Sequence, residues 1–238
     1  MNVASGTDNV SLLQKALRYS ILDLILTPIM ISKIRKLKQN LSLEEYSDFC
    51  LSDPHKMIYP LQVKEEILLL LQMLEKNPPK NILEIGTSRG GTLFLFSRIA
   101  AKNATLISID KPGWIIGNGY PPWRIPLYKS FRKDNQKICL IRKYSGKQTT
   151  SNEVKKLFDG KIDFLFIDGD HSYPAVKRDF DLYSRLVKKG GIIALHDIIR
   201  KDPECCDVNR FWKKIKEKYK HKEIVSKDQN TGIGILFF

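Results

Sequence analysis

Short apolar runs and helical apolar stripes alternate along most of this chain. Residues 81–85, 105–110, 138–142, 162–168 and 191–197 are Ile-, Leu- and Phe-rich runs of strand length without polar alternation. Such runs predict strands buried on both faces, as in a parallel sheet. Between them lie helical patterns at 92–100, from Thr150 to about Phe158, and at 173–187. Thr150 and Glu153 have capping-box spacing, and Lys188-Lys189-Gly190 supplies the cations and glycine that suit a helix end. A lysine-rich helix over 208–220 shows Phe211, Trp212, Ile215 and Tyr219 on one side. Two last strands, 223–226 and 232–238, have too little chain between them for a crossover, which predicts an antiparallel hairpin.

Upstream, residues 61–76 form a strongly apolar helical stripe ended by Asn77-Pro78-Pro79. Leu43–Leu51 is another short helix, and 11–40 is a helical stretch that Pro28 is expected to interrupt. Strands alternating with helices specify an α/β fold: a doubly wound, mainly parallel seven-stranded sheet with a C-terminal antiparallel hairpin and extra N-terminal helices. The division this suggests is a helical extension over 1–60 and a main domain over 61–238.

In such folds ligands bind beyond the carboxyl ends of the strands, where the strand order switches. The first strand runs into Gly86-Thr87-Ser88-Arg89-Gly90-Gly91 and then a helix. Glycines admit a ligand close to the backbone, and the helix start offers unpaired N–H groups. Acids stand at the strand tips: Glu84, Asp110, Asp168 and Asp197. Asp110 follows Gly86 by an interval that suits a carboxylate on a ribose hydroxyl pair. Adjacent strands are ~4.8 Å apart, so with strand five beside strand four, Asp168 and Asp197 can share a cation.

The formal charge of +14 changes this picture by its distribution. Arg124, Lys129, Arg132, Lys133, Lys137, Arg142, Lys143 and Lys147 crowd a region whose only acid is Asp134, a field suited to anionic ligands. Residues 111–137 hold Pro112, Gly113, Gly117, Gly119, Pro121, Pro122 and Pro126 among Trp114, Tyr120, Trp123, Tyr128 and Phe131. A stretch of that length without regular structure predicts a lid or substrate wall, or a small satellite hydrophobic cluster, and the two readings are compatible. Cations at Lys33, Arg35, Lys36 and Lys38 suit residues 11–40 to peripheral contact with a membrane surface, although such a helix more often packs as an N-terminal cap or a contact in a homo-oligomer. No apolar run reaches the ~20 residues needed to span a bilayer. Cys50, Cys139, Cys205 and Cys206 lack Cys-x-x-Cys pairing, consistent with reduced thiols and a cytoplasmic location.

Glu84-Ile-Gly-Thr-Ser-Arg-Gly-Gly, Asp110 and the terminal hairpin resemble a class I S-adenosylmethionine-dependent methyltransferase. Ile167-Asp-Gly-Asp-His-Ser-Tyr and Gly190-Gly-Ile-Ile-Ala-Leu-His-Asp197 resemble the cephalosporin hydroxylase-like branch, which includes macrolide-sugar O-methyltransferases. The similarity runs from about Leu61 to Phe238. It implies S-adenosylmethionine as cofactor, with Glu84, Gly86, Thr87, Ser88 and Gly90 around its methionine part. Asp110 would take the ribose hydroxyls, and Ser145 would sit near the adenine. Asp168, His196 and Asp197 match metal-binding positions for Mg²⁺ or another divalent cation, and His171 the general base, with Asp168 shared between metal and catalysis. The sugar enzymes carry an acid where this chain has His196, and adding an imidazole leans the site toward a transition metal. The start of the helix after His171 is expected to keep that imidazole neutral. The implied reaction is methylation of a hydroxyl on a sugar, glycoside or other polar, even anionic, small molecule.

Tyr173-Pro-Ala-Val-Lys177 also spells the Tyr-x-x-x-Lys of NAD-dependent short-chain oxidoreductases. Pro174 falls inside it, and no catalytic serine lies a helix-length upstream. A non-catalytic, cofactor-binding accessory protein at a membrane surface is the other alternative, opposed by intact acids at every strand tip. Nucleic acid is disfavoured as partner, because Asp168-Gly-Asp-His stands where a base-flipping Asn-Pro-Pro-Tyr motif would follow strand four.

Overall fold

The computed structural model describes residues 12–38, 40–113, 119–200, 206–227 and 231–238. Strands β1 (Asn81–Ile85), β2 (Thr105–Asp110), β3 (Lys137–Arg142), β4 (Ile162–Ile167), β5 (Val187–His196), β6 (Lys220–Ile224) and β7 (Ile233–Phe237) form one sheet. Its order is β3-β2-β1-β4-β5-β7-β6, with β5, β7 and β6 paired antiparallel and the other neighbours parallel. The order reverses between β1 and β4, so the glycine turn and the tip of β4 border the same crevice.

Alternate residues of each strand feed two cores. One face packs on α1 (Leu12–Lys36), α2 (Leu43–Leu51), α3 (Lys64–Glu75), α4 (Gly91–Ile99) and the short α5 (Ile125–Lys129), with Phe94, Phe96, Phe164 and Phe166 near its centre. The other packs on α6 (Gln148–Leu157), α7 (Tyr173–Tyr183) and α8 (Val208–Ile215), with Tyr183 and Trp212 fully buried. Gly234 in β7 lies under the Trp212 indole, and a Cβ there would come within 2.7 Å of the ring. Met30, Ile34, Tyr46 and Cys50 share the first core with the sheet, so α1 and α2 pack on the main domain.

Several local expectations are corrected. Helix α1 runs through Pro28 rather than breaking there. Contacts on either side hold it: Asp23 is pinned to Arg124, and Met30 and Ile34 are in the core. Leu24 and Ile25 on its outward face are more than half exposed. Thr150 does not cap α6, which starts at Gln148; its hydroxyl donates to the Tyr144 carbonyl, while Glu153 pairs with Lys143. Helix α7 ends at Tyr183 and gives way to a 3-10 turn at Ser184–Leu186, so β5 begins at Val187 instead of Gly191. Among the described residues no helix is long and apolar enough to cross a membrane.

The largest correction concerns the expected lid. Residues 114–118, Trp114 and Gly117 included, lie outside the described residues, but 119–137 are packed protein rather than an open flap. A 3-10 turn at Pro122–Arg124 leads into α5, and Tyr120, Tyr128 and Phe131 are buried against one another and Phe94. Arg124 is not part of an exposed basic field. It is 1% exposed and pairs through Nε and Nη2 with the Asp23 carboxylate, which Trp123 Nε1 also donates to. Its Nη1 donates to the Met57 carbonyl at 2.9 Å and toward the Tyr128 hydroxyl at 3.2 Å. Tyr128 in turn donates to the Ser88 carbonyl at 2.6 Å, so the network ends on the glycine turn.

Candidate active site

The turn after β1 is held from below and from the side. Gly86 has φ of +98°, and a Cβ on it would lie 2.0 Å from the Asp168 carbonyl oxygen. The glycine is therefore required by the approach of the chain after β4. Asp110, at the tip of β2, accepts from Thr87 N (3.0 Å) and Ser88 N (2.8 Å) through Oδ2, and from Lys111 N (2.8 Å) through Oδ1. Its carboxylate thus shapes the turn whatever else it binds. Burial pushes its carboxyl up from the ordinary value, against those three donors.

Glu84 lies under this turn. It is fully buried, opposite Ser108 and Phe166 across the sheet, and accepts from the Thr92 and Ser108 hydroxyls. Burial pushes its pKa up to about 8, which those bonds only partly offset. It stands behind the wall of the cavity described next, as does Gly90, whose α-carbon faces the Tyr128 and Phe131 rings at the start of α4.

A cavity of about 550 Å³ opens beyond the tips of β1, β2, β4 and β5. Gly86, Thr87, Ser88, Asp110 and Ser145 line it, as do Asp168, His171, His196 and Asp197. That volume is in the usual range for small-molecule sites. Ser145 donates to Asp179 at 3.1 Å, and its carbonyl accepts from Tyr183. Burial raises the Asp179 pKa to about 6. A wall carrying turn amides, a carboxylate and a hydroxyl suits a nucleoside-bearing ligand with a charged far end.

The acids and imidazoles of this lining converge. His171 Nε2 lies 3.1 Å from Asp168 Oδ1, and His196 Nδ1 lies 3.2 Å from the same oxygen. His171 Nδ1 lies 3.4 Å from Asp197 Oδ2. Gln62 Nε2 donates to Asp168 Oδ2 at 2.6 Å. Burial opposes the Asp168 charge, but His196 and then His171 overcome it and hold the carboxyl well below its usual range. Burial likewise opposes a charged His196, but Asp168 and Asp197 raise its pKa to about 9. The hydrogen bond to Asp168 raises that of His171. The helix start expected to disfavour charge on His171 is opposed by two carboxylates, which face both ring nitrogens two residues before α7 begins.

Asp168, His196 and Asp197 each offer a ligand atom within 4.8 Å of the others. Asp197 Oδ1 is buried with no hydrogen-bond partner, a cost normally avoided unless a ligand completes the site; His196 is unpartnered at Nε2, while the nitrogen it turns toward Asp168 and Asp197 is Nδ1. This donor set fits a divalent cation, whose charge would take the place of the imidazolium protons. Sequence reasoning missed Gln62 and Asp179. Gln62 precedes α3 in no motif, and Asp179 looks like an ordinary polar position of a surface helix.

Residues 83–198 match a family model described as a methyltransferase domain. An uncharacterized protein of Acanthamoeba polyphaga mimivirus is 39% identical over 118 residues, 48% of this chain and 50% of that protein. The chain therefore spans about half the length of that relative. Among solved structures, one of a protein described as a caffeoyl-CoA O-methyltransferase of Staphylococcus aureus superposes with TM-score 0.60 at 18% identity, covering 93% of this chain and all of that one. An O-methyltransferase from Bacillus cereus, in complex with SAH, gives 0.55 at 14% identity, with 91% of each chain covered. One from Streptomyces achromogenes involved in tomaymycin synthesis, in complex with SAM, gives 0.51 at 14%, covering 93% and 97%. At these identities the likeness is one of fold.

Proposed function

We propose that this chain, whose residues 83–198 match a methyltransferase-domain model and whose fold is that of solved O-methyltransferases, is an S-adenosylmethionine-dependent O-methyltransferase. Its acceptor is a hydroxyl of a sugar, glycoside or other polar metabolite, and a divalent cation assists. The observation that carries the reading is the convergence of Asp168, His171, His196 and Asp197 in the cavity that Asp110 and Ser145 also line.

S-adenosylmethionine supplies a methyl group on a sulfonium centre when bound. For its nucleoside the chain offers Asp110 and Ser145, and the backbone of Thr87 and Ser88 lies alongside. Methyl transfer needs an oxygen nucleophile brought into line, largely a matter of proximity. A cation held by Asp168, His196 and Asp197 would ease loss of the hydroxyl proton. His171, which lines the cavity, would accept that proton at a ring nitrogen freed from its carboxylate partner. Asp168 and Asp197 then stabilise the imidazolium. Lys111, Lys143 and Arg200 also line the cavity, which favours an acceptor carrying negative charge.

The test is transfer of labelled methyl from S-adenosylmethionine to a panel of neutral and anionic glycosides, with Mg²⁺ and with excess chelator. Methyl ether formation that chelator and Asp168→Ala both abolish is expected. Full turnover in chelator would remove the metal from the reading, and label appearing only on nitrogen or sulfur would remove O-methylation.

A further inference from the structure

The reading above uses Asp168, His196 and Asp197 as cation ligands and leaves Cys206 aside. We propose that His171, Asp197 and Cys206 form a second, thiol-bearing cation position that takes a zinc-type ion and withdraws His171 from proton transfer. One ligand atom from each of the three lies within 4.8 Å of the others. The backbone brings Cys206 there: the amide of the next residue, Asp207, donates to the His171 carbonyl at 2.9 Å. Cys206 is 3% exposed, Asp197 is 2% exposed, and Asp197 Oδ1 is buried with no hydrogen-bond partner.

Ligands at ~2.0–2.3 Å from a tetrahedral zinc ion lie ~3.3–3.8 Å from one another. The His171 Nδ1 to Asp197 Oδ2 separation of 3.4 Å already has that value, and one ligand atom of each residue, the thiol included, lies within 4.8 Å of the others. His171 and Asp197 both line the cavity, which leaves a fourth position open to water or ligand. Thiolate, imidazole and carboxylate together select zinc-type ions, whereas the Asp168, His196 and Asp197 set carries no sulfur. Binding releases the Cys206 proton to solvent and involves no change of oxidation state. Asp197 belongs to both sets and has two oxygens, so a carboxylate bridge between two cations is available.

The inhibitory consequence rests on the proposed role of His171 as base; the binding itself does not. Buried cysteine otherwise behaves as a small apolar side chain, and Cys206 does sit at the edge of the second core. The discriminating experiment is titration of the apo full-length chain with Co²⁺ and then Zn²⁺, followed by near-ultraviolet absorption. Wild type, Cys206→Ser, Cys206→Ala and Asp168→Ala are compared, with thermal melts confirming that each variant is folded. Wild type and Asp168→Ala are expected to show an intense thiolate-to-cobalt charge-transfer band that Zn²⁺ bleaches. Both Cys206 variants should lack the band and bind Zn²⁺ at least tenfold more weakly, with unchanged affinity for Mg²⁺. Cobalt binding without the band in wild type, or the same band in folded Cys206 variants, would overturn the proposal. Loss of Mg²⁺ binding in every protein while the band persists would instead count against the metal in the proposed function.

Discussion

Replacing Glu84 by Gln should favour the stability of the protein increasingly as pH rises. The Glu84 carboxyl has no contact with solvent and titrates at about 8 against an ordinary value near 4.5, because burial penalises its charge. Between those two values the folded state keeps a proton that the unfolded state releases. Stability therefore falls as pH rises through that window, by ~1.4 kcal/mol per pH unit. At pH 7, two and a half units above the ordinary value, the accumulated cost is about 3 kcal/mol. A glutamine amide resembles the protonated acid in offering one oxygen to accept and an N–H to donate between the Thr92 and Ser108 hydroxyls, and it carries a second N–H whose cost is the same at every pH. The stability difference between Glu84→Gln and wild type should thus shift by about 3 kcal/mol in favour of the variant from pH 4.5 to pH 7. Urea denaturation of both proteins from pH 4.5 to 8, followed by tryptophan fluorescence, reads this difference, and contributions from all other titrating groups cancel. A difference that stays constant with pH, or one that moves against the variant as pH rises, would refute the reasoning.

Gly86→Ala should lower the melting temperature by more than its ~1–2 kcal/mol of backbone strain implies, since the new Cβ meets the Asp168 carbonyl at 2.0 Å; a wild-type melt would show the close approach to be unreal. Asp23→Ala strands the buried Arg124 guanidinium and should cost ~3–5 kcal/mol in urea denaturation, with Asp23→Ala/Arg124→Met less damaged than the single variant. A milder single variant would mean the pair is not sealed from water. His171→Ala should lower the methyl-transfer rate by ~10²–10⁴. Because Asp168 raises the His171 pKa, the wild-type rate should climb with pH until the imidazole is unprotonated, and that limb should be missing in the variant.

What the sequence exposes here is what repeats locally. Apolar runs such as 105–110 and 162–167 report burial on both faces, and acids at the ends of β2 and β4 follow from strand length alone. The fold and the meeting of Asp168 with His196 and Asp197 were legible on that basis. Contacts between distant residues were not. Arg124 looks like one more cation in a basic stretch until Asp23, 101 residues earlier, is seen to bury it. The aromatics of 119–131 suggest a mobile flap because their proline and glycine neighbours break any period, yet the Phe94 face of α4 is waiting to receive them. Glu84 occupies the position of a ligand-contacting acid, but the Thr92 and Ser108 hydroxyls turn it inward. A charge at a strand tip does not by itself say on which side of the turn it will lie.

The most direct measurement is a calorimetric titration of the intact protein with S-adenosylhomocysteine and, separately, with NAD. Saturable one-to-one binding of S-adenosylhomocysteine and no heat from NAD are predicted. Asp110→Ala, which removes the carboxylate accepting from the Thr87 and Ser88 amides, should weaken binding ~10–150-fold, the worth of hydrogen bonds to a charged group. Asp168→Ala should leave it largely intact. NAD binding as tightly as S-adenosylhomocysteine, or neither binding at all, would contradict the assignment of this cavity to a methyl donor.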